Sequence, residues 1–271
     1  MDAERNIIIA GGGTMSARML ILDLLDTGEP PAFSVGELVR AGAAFGIEAP
    51  GIRTALTRLK AEDRVRAIAR GRYTIGSGGA PLQQRILGWR TRLDLRRAWG
   101  GGWLLAIAGP LERADRTAWR RTLRALGLEG FAEAETNVWA RPDNLEGGAE
   151  GARQRLATLD AAASLCVVEA AGLDAGRAER FPTLWPADAR RAAYLELAGA
   201  LDRSGARIDA MPLHAAAAET LLLGRQAIRA IMRDPLLPDA FGPADGLSRL
   251  IEAMNRYDRV GKAIWQAYLR G

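Results

Sequence analysis

APGIRTALTRLKAEDRVRAIARGRYTIG, residues 49–76, changes its periodicity halfway along. Through Lys60 the apolar side chains recur at helical spacing. Ile52, Ala55, Leu56 and Leu59 fall on one face, and Pro50 stands in the first turn, where its missing N–H loses no hydrogen bond. From Val65 the pattern alternates. VRAIAR and RYTIG flank Arg70 and Gly71, which spells two short strands and a tight turn.

With those four apolar residues inward, the helix turns Thr54, Thr57, Arg58 and Ala61 outward, with Arg53 and Lys60 at the flanks. No acid enters that face before Glu62. Short hydroxyls and guanidinium forks are the groups that reach base edges and phosphates when a helix lies in a major groove. The window 49–73 holds seven basic residues against Glu62 and Asp63, the electrostatic footprint of a DNA reader. The candidate DNA-binding side chains are therefore Arg53, Thr54, Thr57, Arg58 and Lys60 on the helix, with Arg64, Arg66, Arg70 and Arg72 on the hairpin and its approach. A solvated helix with incidental arginines is the plainer alternative.

Upstream, TMSARMLILDLLDTGEP places Met15, Met19, Leu22 and Leu25 on one helical face and ends at Gly28 and Pro30. Ser34 followed by Glu37 forms a capping box that opens a second helix through Val35, Leu38, Val39, Ala41 and Ala44, stopped by Gly46. Three helices and a hairpin over residues 14–80 spell a winged helix-turn-helix. Further upstream, IIIAGGG at 7–13 imitates the strand and glycine turn of a dinucleotide site. Counted from Gly11, however, the sixth place is Ser16, and no strand with a ribose-binding carboxylate follows. Residues 1–13 are read instead as a flexible arm.

Downstream, residues 81–180 begin with an arginine-rich helix containing Trp89 and Trp99. WLLAIA then forms a strand, Leu111 to Ala125 a helix with Ala114, Ala118, Leu123 and Leu126 on one stripe, FAEAETNVWARP a strand pair, GARQRLATLDAA a helix and SLCVVEA a strand. That order, βαββαβ, is ferredoxin-like. Residues 181–271 are helical throughout and make an all-α C-terminal domain, so the fold class is α+β multidomain. A second basic stretch, 85–124, carries ten arginines against three acids. It reads as a polar helix face with local partners, a secondary DNA contact or a site for an anionic effector.

Bulk properties narrow the function classes. The 271 residues carry a net charge of +5, and of 37 basic residues only Lys60 and Lys262 are lysine. Arginine suits phosphate and carboxylate recognition, although codon bias toward arginine and alanine accounts for the excess equally well. No apolar run is long enough to span a membrane, and the acidic start does not suit a signal peptide, so the chain reads as cytoplasmic. Cys166 and His214 are the only residues of their types, which excludes an intrachain disulfide and a Cys/His zinc site. Both read as structural, Cys166 within a buried strand. Trp103, Trp139 and Trp265 lie in apolar runs and read as core or interface anchors. No metal site and no catalytic constellation emerges, so the chain is not read as an enzyme.

GIEAPGIRTALTRLKAEDRVRAIARGRY resembles the recognition helix and wing of PaaX-type repressors, named for control of phenylacetic acid degradation. WLLAIAGP, RTLRALGLEGF with VWARPDNL, and MRDPLLPD resemble that family's later signatures. The resemblance implies a homodimeric transcriptional repressor that binds a double-stranded DNA operator, an inverted repeat, through the helix and wing named above. It also implies release by a small anionic effector of the acyl-CoA type, phenylacetyl-CoA in the best-known members, with no resident cofactor. The alternative is an acyl-CoA-binding or metabolic enzyme that uses the basic helix and hairpin as an anion site. The middle block is also similar to small CRISPR-associated nucleases. Those hold a metal with an aspartate at the end of the first strand, where this chain has Ala108 and Gly109 and no carboxylate before Glu112.

Overall fold

Helix α1 (Ala17–Thr27) starts where Ser16 Oγ accepts the Met19 N–H at 3.2 Å, a local cap for an otherwise open first turn. This computed structural model describes residues 15–27 and 32–271. The expected arm at 1–13 and the stop signals Gly28 and Pro30 lie outside those residues. The two-residue strand β1 (Phe33–Ser34) leads directly into α2 (Val35–Ala43). The capping box there is complete: Glu37 N–H donates to Ser34 Oγ at 3.1 Å, and Ser34 N–H donates to Glu37 Oε2 at 2.6 Å. Helix α3 (Ala49–Ala61) follows, then β2 (Val65–Ala69) and β3 (Arg72–Ile75).

Three antiparallel strands in the order β1-β3-β2 make the first sheet. Gly71 turns the β2-β3 hairpin at φ +70°, a left-handed conformation that glycine adopts without steric cost. Leu20, Ile21, Leu25, Leu38, Ile52 and Leu59 form the core of this part, closed by Phe33, Val65 and Ile75 from the sheet.

Two compact units emerge. One comprises the described residues up to Gly88 together with 199–228 and 252–271, and the other comprises 89–198 and 229–251. Three long helices, α9 (Ala187–Arg207), α10 (Leu213–Arg233) and α11 (Asp245–Arg270), contribute to both, so this partition cuts across the boundaries 14–80, 81–180 and 181–271. In the first unit Ala217 and Trp265, from α10 and α11, join the core of α1–α3, and Trp265 stacks on Phe45 with ring centroids 6.5 Å apart.

In the second unit the elements run β4 (Trp103–Ile107), α5 (Pro110–Arg113), α6 (Arg116–Leu128), β5 (Ala132–Glu135), β6 (Val138–Pro142), α7 (Gly148–Ala157) and β7 (Cys166–Ala170). The sheet is antiparallel in the order β5-β6-β4-β7. Its two faces follow the period of two. Leu104, Ala106, Trp139 and Val167 pack under α6 and α7, while Trp103 and Ala140 on the other face meet Phe181, Trp185 and Phe241.

The structure departs from the sequence pattern at several points. The helix expected to hold both Trp89 and Trp99 is α4 (Ala80–Leu87), which ends before either tryptophan. Residues 88–95 are a 3₁₀ segment kinked at Thr91, and Trp99 follows it in a loop. The helix expected from Leu111 to Ala125 is two helices, split because Asp115 leaves helical geometry to cap α6, accepting the Thr117 and Ala118 N–H groups at 2.7 and 3.1 Å. The buried stripe shifts accordingly to Thr122, Ala125 and Leu126, while Leu123 is 38% exposed. Cys166 is exposed, because β7 is an edge strand and Cys166 lies on the face opposite buried Val167. His214 is exposed as well. Strand β1 and helix α8 (Ala175–Arg180) were not anticipated.

Candidate nucleic-acid interface

Ile52, Ala55, Leu56 and Leu59 are buried, and they fix the rotation of α3. Arg53, Thr54, Thr57, Arg58 and Lys60 are consequently all exposed. Thr57 Oγ1 donates to the Arg53 carbonyl at 3.1 Å, a bond within the helix that a groove contact can replace. On the hairpin, Arg66 and Arg70 are exposed, and Ile68 between them is 48% exposed. Among the described residues, none of Arg53, Arg58, Lys60, Arg66 and Arg70 has a carboxylate within ion-pair distance.

Both acids of the segment are occupied elsewhere. Glu62 pairs with Arg18 of α1 at 2.7 Å. Asp63, held at φ +53°, accepts from the Ser77 hydroxyl and from the Gly78 N–H. The basic face thus keeps its full charge, and the same contacts clasp the base of the hairpin. Arg18 is a contributor that the sequence pattern did not reveal, since its partner lies 44 residues away.

Two of the nine candidate residues turn partly inward. Arg72 is half-buried and donates from Nη2 to the Ala32 carbonyl at 3.1 Å, holding the approach to β1. Arg64 is half-buried with Nε inaccessible and unbonded, and its charge bears on Asp26 of α1. Burial is the main cause that raises the Asp26 pKa to about 7. Asp23 adds to the rise and Arg64 opposes it.

A second cation cluster, in the other unit, is consumed internally. Arg141 is 1% exposed. Its guanidinium donates to the Glu129 carbonyl, to the Pro142 carbonyl at 3.1 Å, to Asn144 Oδ1 at 3.1 Å and to the Pro235 carbonyl at 3.4 Å. Burial lowers its pKa to about 10 against the pull of Glu129, so it remains a cation at neutral pH. Asn144 Nδ2 reaches the Leu236 carbonyl at 2.7 Å, and Asp234 accepts from Tyr194 OH at 2.7 Å and from the Leu236 N–H at 2.6 Å. Gly130 is required beside this segment, because a Cβ there would stand 2.7 Å from the Pro235 carbonyl oxygen. The VWARPDNL and MRDPLLPD motifs therefore meet in one buried polar cluster.

The second basic stretch divides. Arg96 pairs with Asp239 and Arg97 with Asp143, each at 2.6 Å, whereas the arginines of α6 face outward. An open groove of about 610 Å³ runs beside α6 and α7, with Arg121, Arg153 and Asp160 on its walls over Leu156, Leu165 and Val167. Among the described residues no three metal-ligating side chains converge, and no helix is long and apolar enough to cross a membrane.

No curated protein matches the chain. A solved structure, described as an uncharacterized protein Rv0674 from Mycobacterium tuberculosis, superposes with a TM-score of 0.61 at 24% identity, over 93% of this chain and 98% of that one. It shares the fold. The family model described as PaaX-like protein matches residues 16–75, the segment from α1 to the end of the hairpin. The resemblance of this chain to the PaaX-like family, first carried by the residues around α3, is thus shown over residues 16–75.

Proposed function

We propose that this chain is a sequence-specific DNA-binding regulator of transcription, a repressor of a catabolic operon that a small anionic metabolite releases from its operator. The observation that carries this reading is the exposed, acid-free outer face of α3, anchored by four buried side chains and continued by Arg66 and Arg70 on the hairpin. On this reading residues 14–80 are a winged helix-turn-helix, with α3 as recognition helix in the major groove and the β2-β3 hairpin along the backbone. The β4–β7 sheet with its helices is a ferredoxin-like platform, and a twofold dimer reads an inverted repeat.

The PaaX-like match adds the regulatory setting, since that family is one of regulators of phenylacetic acid degradation rather than of enzymes. The effector is then an acyl-CoA-type anion such as phenylacetyl-CoA. The groove beside α6 and α7 offers an apolar floor and two guanidinium groups to such a molecule. Within this site Arg64 and Arg72 serve chiefly to hold the hairpin, and Arg53, Thr54, Thr57, Arg58, Lys60, Arg66 and Arg70 meet DNA.

A footprint on the DNA upstream of the chain's own gene tests the proposal. Protection of an inverted repeat, relieved by phenylacetyl-CoA, is the expected result. Turnover of the thioester, or no protected sequence, would contradict it.

A further inference from the structure

The arginines of α6 break the pattern of their own unit. Elsewhere in that unit Arg97, Arg155, Arg180 and Arg191 each find a carboxylate within 2.8 Å. From Arg113 to Arg124, by contrast, five arginines stand against a single carboxylate, Asp115, which is committed to capping the helix. Among the described residues none of the five forms an ion pair, and all five are exposed. Arg113 lies over the Trp119 ring at 5.3 Å, and the other four belong to α6 itself.

Thr122, Ala125 and Leu126 are at most 1% exposed and fix which way the helix faces. Arg116, Arg120 and Arg124 therefore form a line on the opposite side, about 12 Å long at 1.5 Å per residue. Beside that line Leu123 is 38% exposed, a single leucine in place of the apolar centre on which a protein partner would dock. Guanidinium groups that keep their charge and their donors suit a row of phosphates.

We infer that the Arg116–Arg120–Arg124 face of α6 is a second DNA contact, one that grips the phosphate backbone without reading sequence. The inference rests on the DNA-binding reading of α3. It assigns to the other unit a share of the affinity and none of the specificity.

The experiment compares the full-length wild type with R116Q/R120Q/R124Q and R116K/R120K/R124K, titrated into operator and scrambled duplexes over a range of salt. The glutamine variant should retain the wild-type melting curve, since nothing buried changes. Its plot of log K against log salt should be shallower by roughly 2 to 3 on both duplexes, because each lost phosphate contact removes about 0.9 from the slope. The ratio of operator to scrambled affinity should stay unchanged, and the lysine variant should keep most of the slope. A glutamine variant with the wild-type slope overturns the inference while leaving α3 as the reader. Loss of the operator preference in that variant overturns it too. A wild type that binds neither duplex removes the DNA reading itself.

Discussion

Helix α3 with its hairpin and the buried cluster around Arg141 are both rich in arginine, and they differ in where each guanidinium finds its partners. Around Arg141 the chain supplies them: three backbone carbonyls and Asn144 surround a cation withdrawn from water. On α3 the chain withholds them, because Glu62 is turned to Arg18 and Asp63 to the Gly78 turn. A buried cation with a full set of acceptors holds a fold in one arrangement. An exposed one without an acid partner is free for a ligand that brings its own negative charge.

The largest effect is expected where the internal partners are lost. Arg141→Met leaves several buried carbonyls without a donor, and urea unfolding should show a loss of about 3–5 kcal/mol. A loss near zero would erase the distinction, since the cluster would then hold nothing. Next is Asp26, beside inward-turned Arg64. Its raised pKa means that the folded chain holds a proton more tightly than the unfolded chain does, so this group costs stability progressively as pH rises from about 4 to about 7. Asp26→Asn should therefore stabilise by on the order of 4 kcal/mol at pH 8 and hardly at all at pH 4. Equal effects at both pH values would show that the carboxyl titrates normally.

Arg58→Ala should reverse the pattern of Arg141. It is expected to weaken operator binding by about 1–3 kcal/mol and relax preference at one base pair, with stability within about 0.5 kcal/mol of wild type. A melting temperature that falls along with affinity would mean that Arg58 is structural after all. The smallest effect belongs to Ser34→Ala, which removes one half of the capping box of α2 and should cost about 1 kcal/mol, visible in thermal denaturation.

Much of this was legible from sequence, for physical reasons specific to each element. The rotation of α3 follows from the spacing of Ile52, Ala55, Leu56 and Leu59, and the start of α2 from Ser34 and Glu37, because helix periodicity and capping are local. Strand β1 was not legible, since two residues cannot display alternation and its pairing with β3 is made across 40 positions. The inward turn of Arg72 has the same origin, its acceptor being Ala32. Arg141 carried a weak signal that could have been read: it shares a strand face with Trp139 two residues away, and a cation on a buried face needs internal partners. The break at Asp115 was hidden because Ala114, Ala118 and Leu123 continue a plausible stripe across it, although an aspartate before a fresh helical turn is itself a cap signal.

The central claim is that the outer face of α3 reads DNA. Its most direct test is fluorescence anisotropy with a labelled duplex from upstream of the chain's own gene, titrated with wild type and Arg58→Ala at several salt concentrations. The account predicts binding by the wild type that weakens linearly in log K against log salt, exceeds binding to a scrambled duplex, and loses that preference in part with Arg58→Ala. Salt-independent binding, or equal affinity of both proteins for both duplexes, would contradict it.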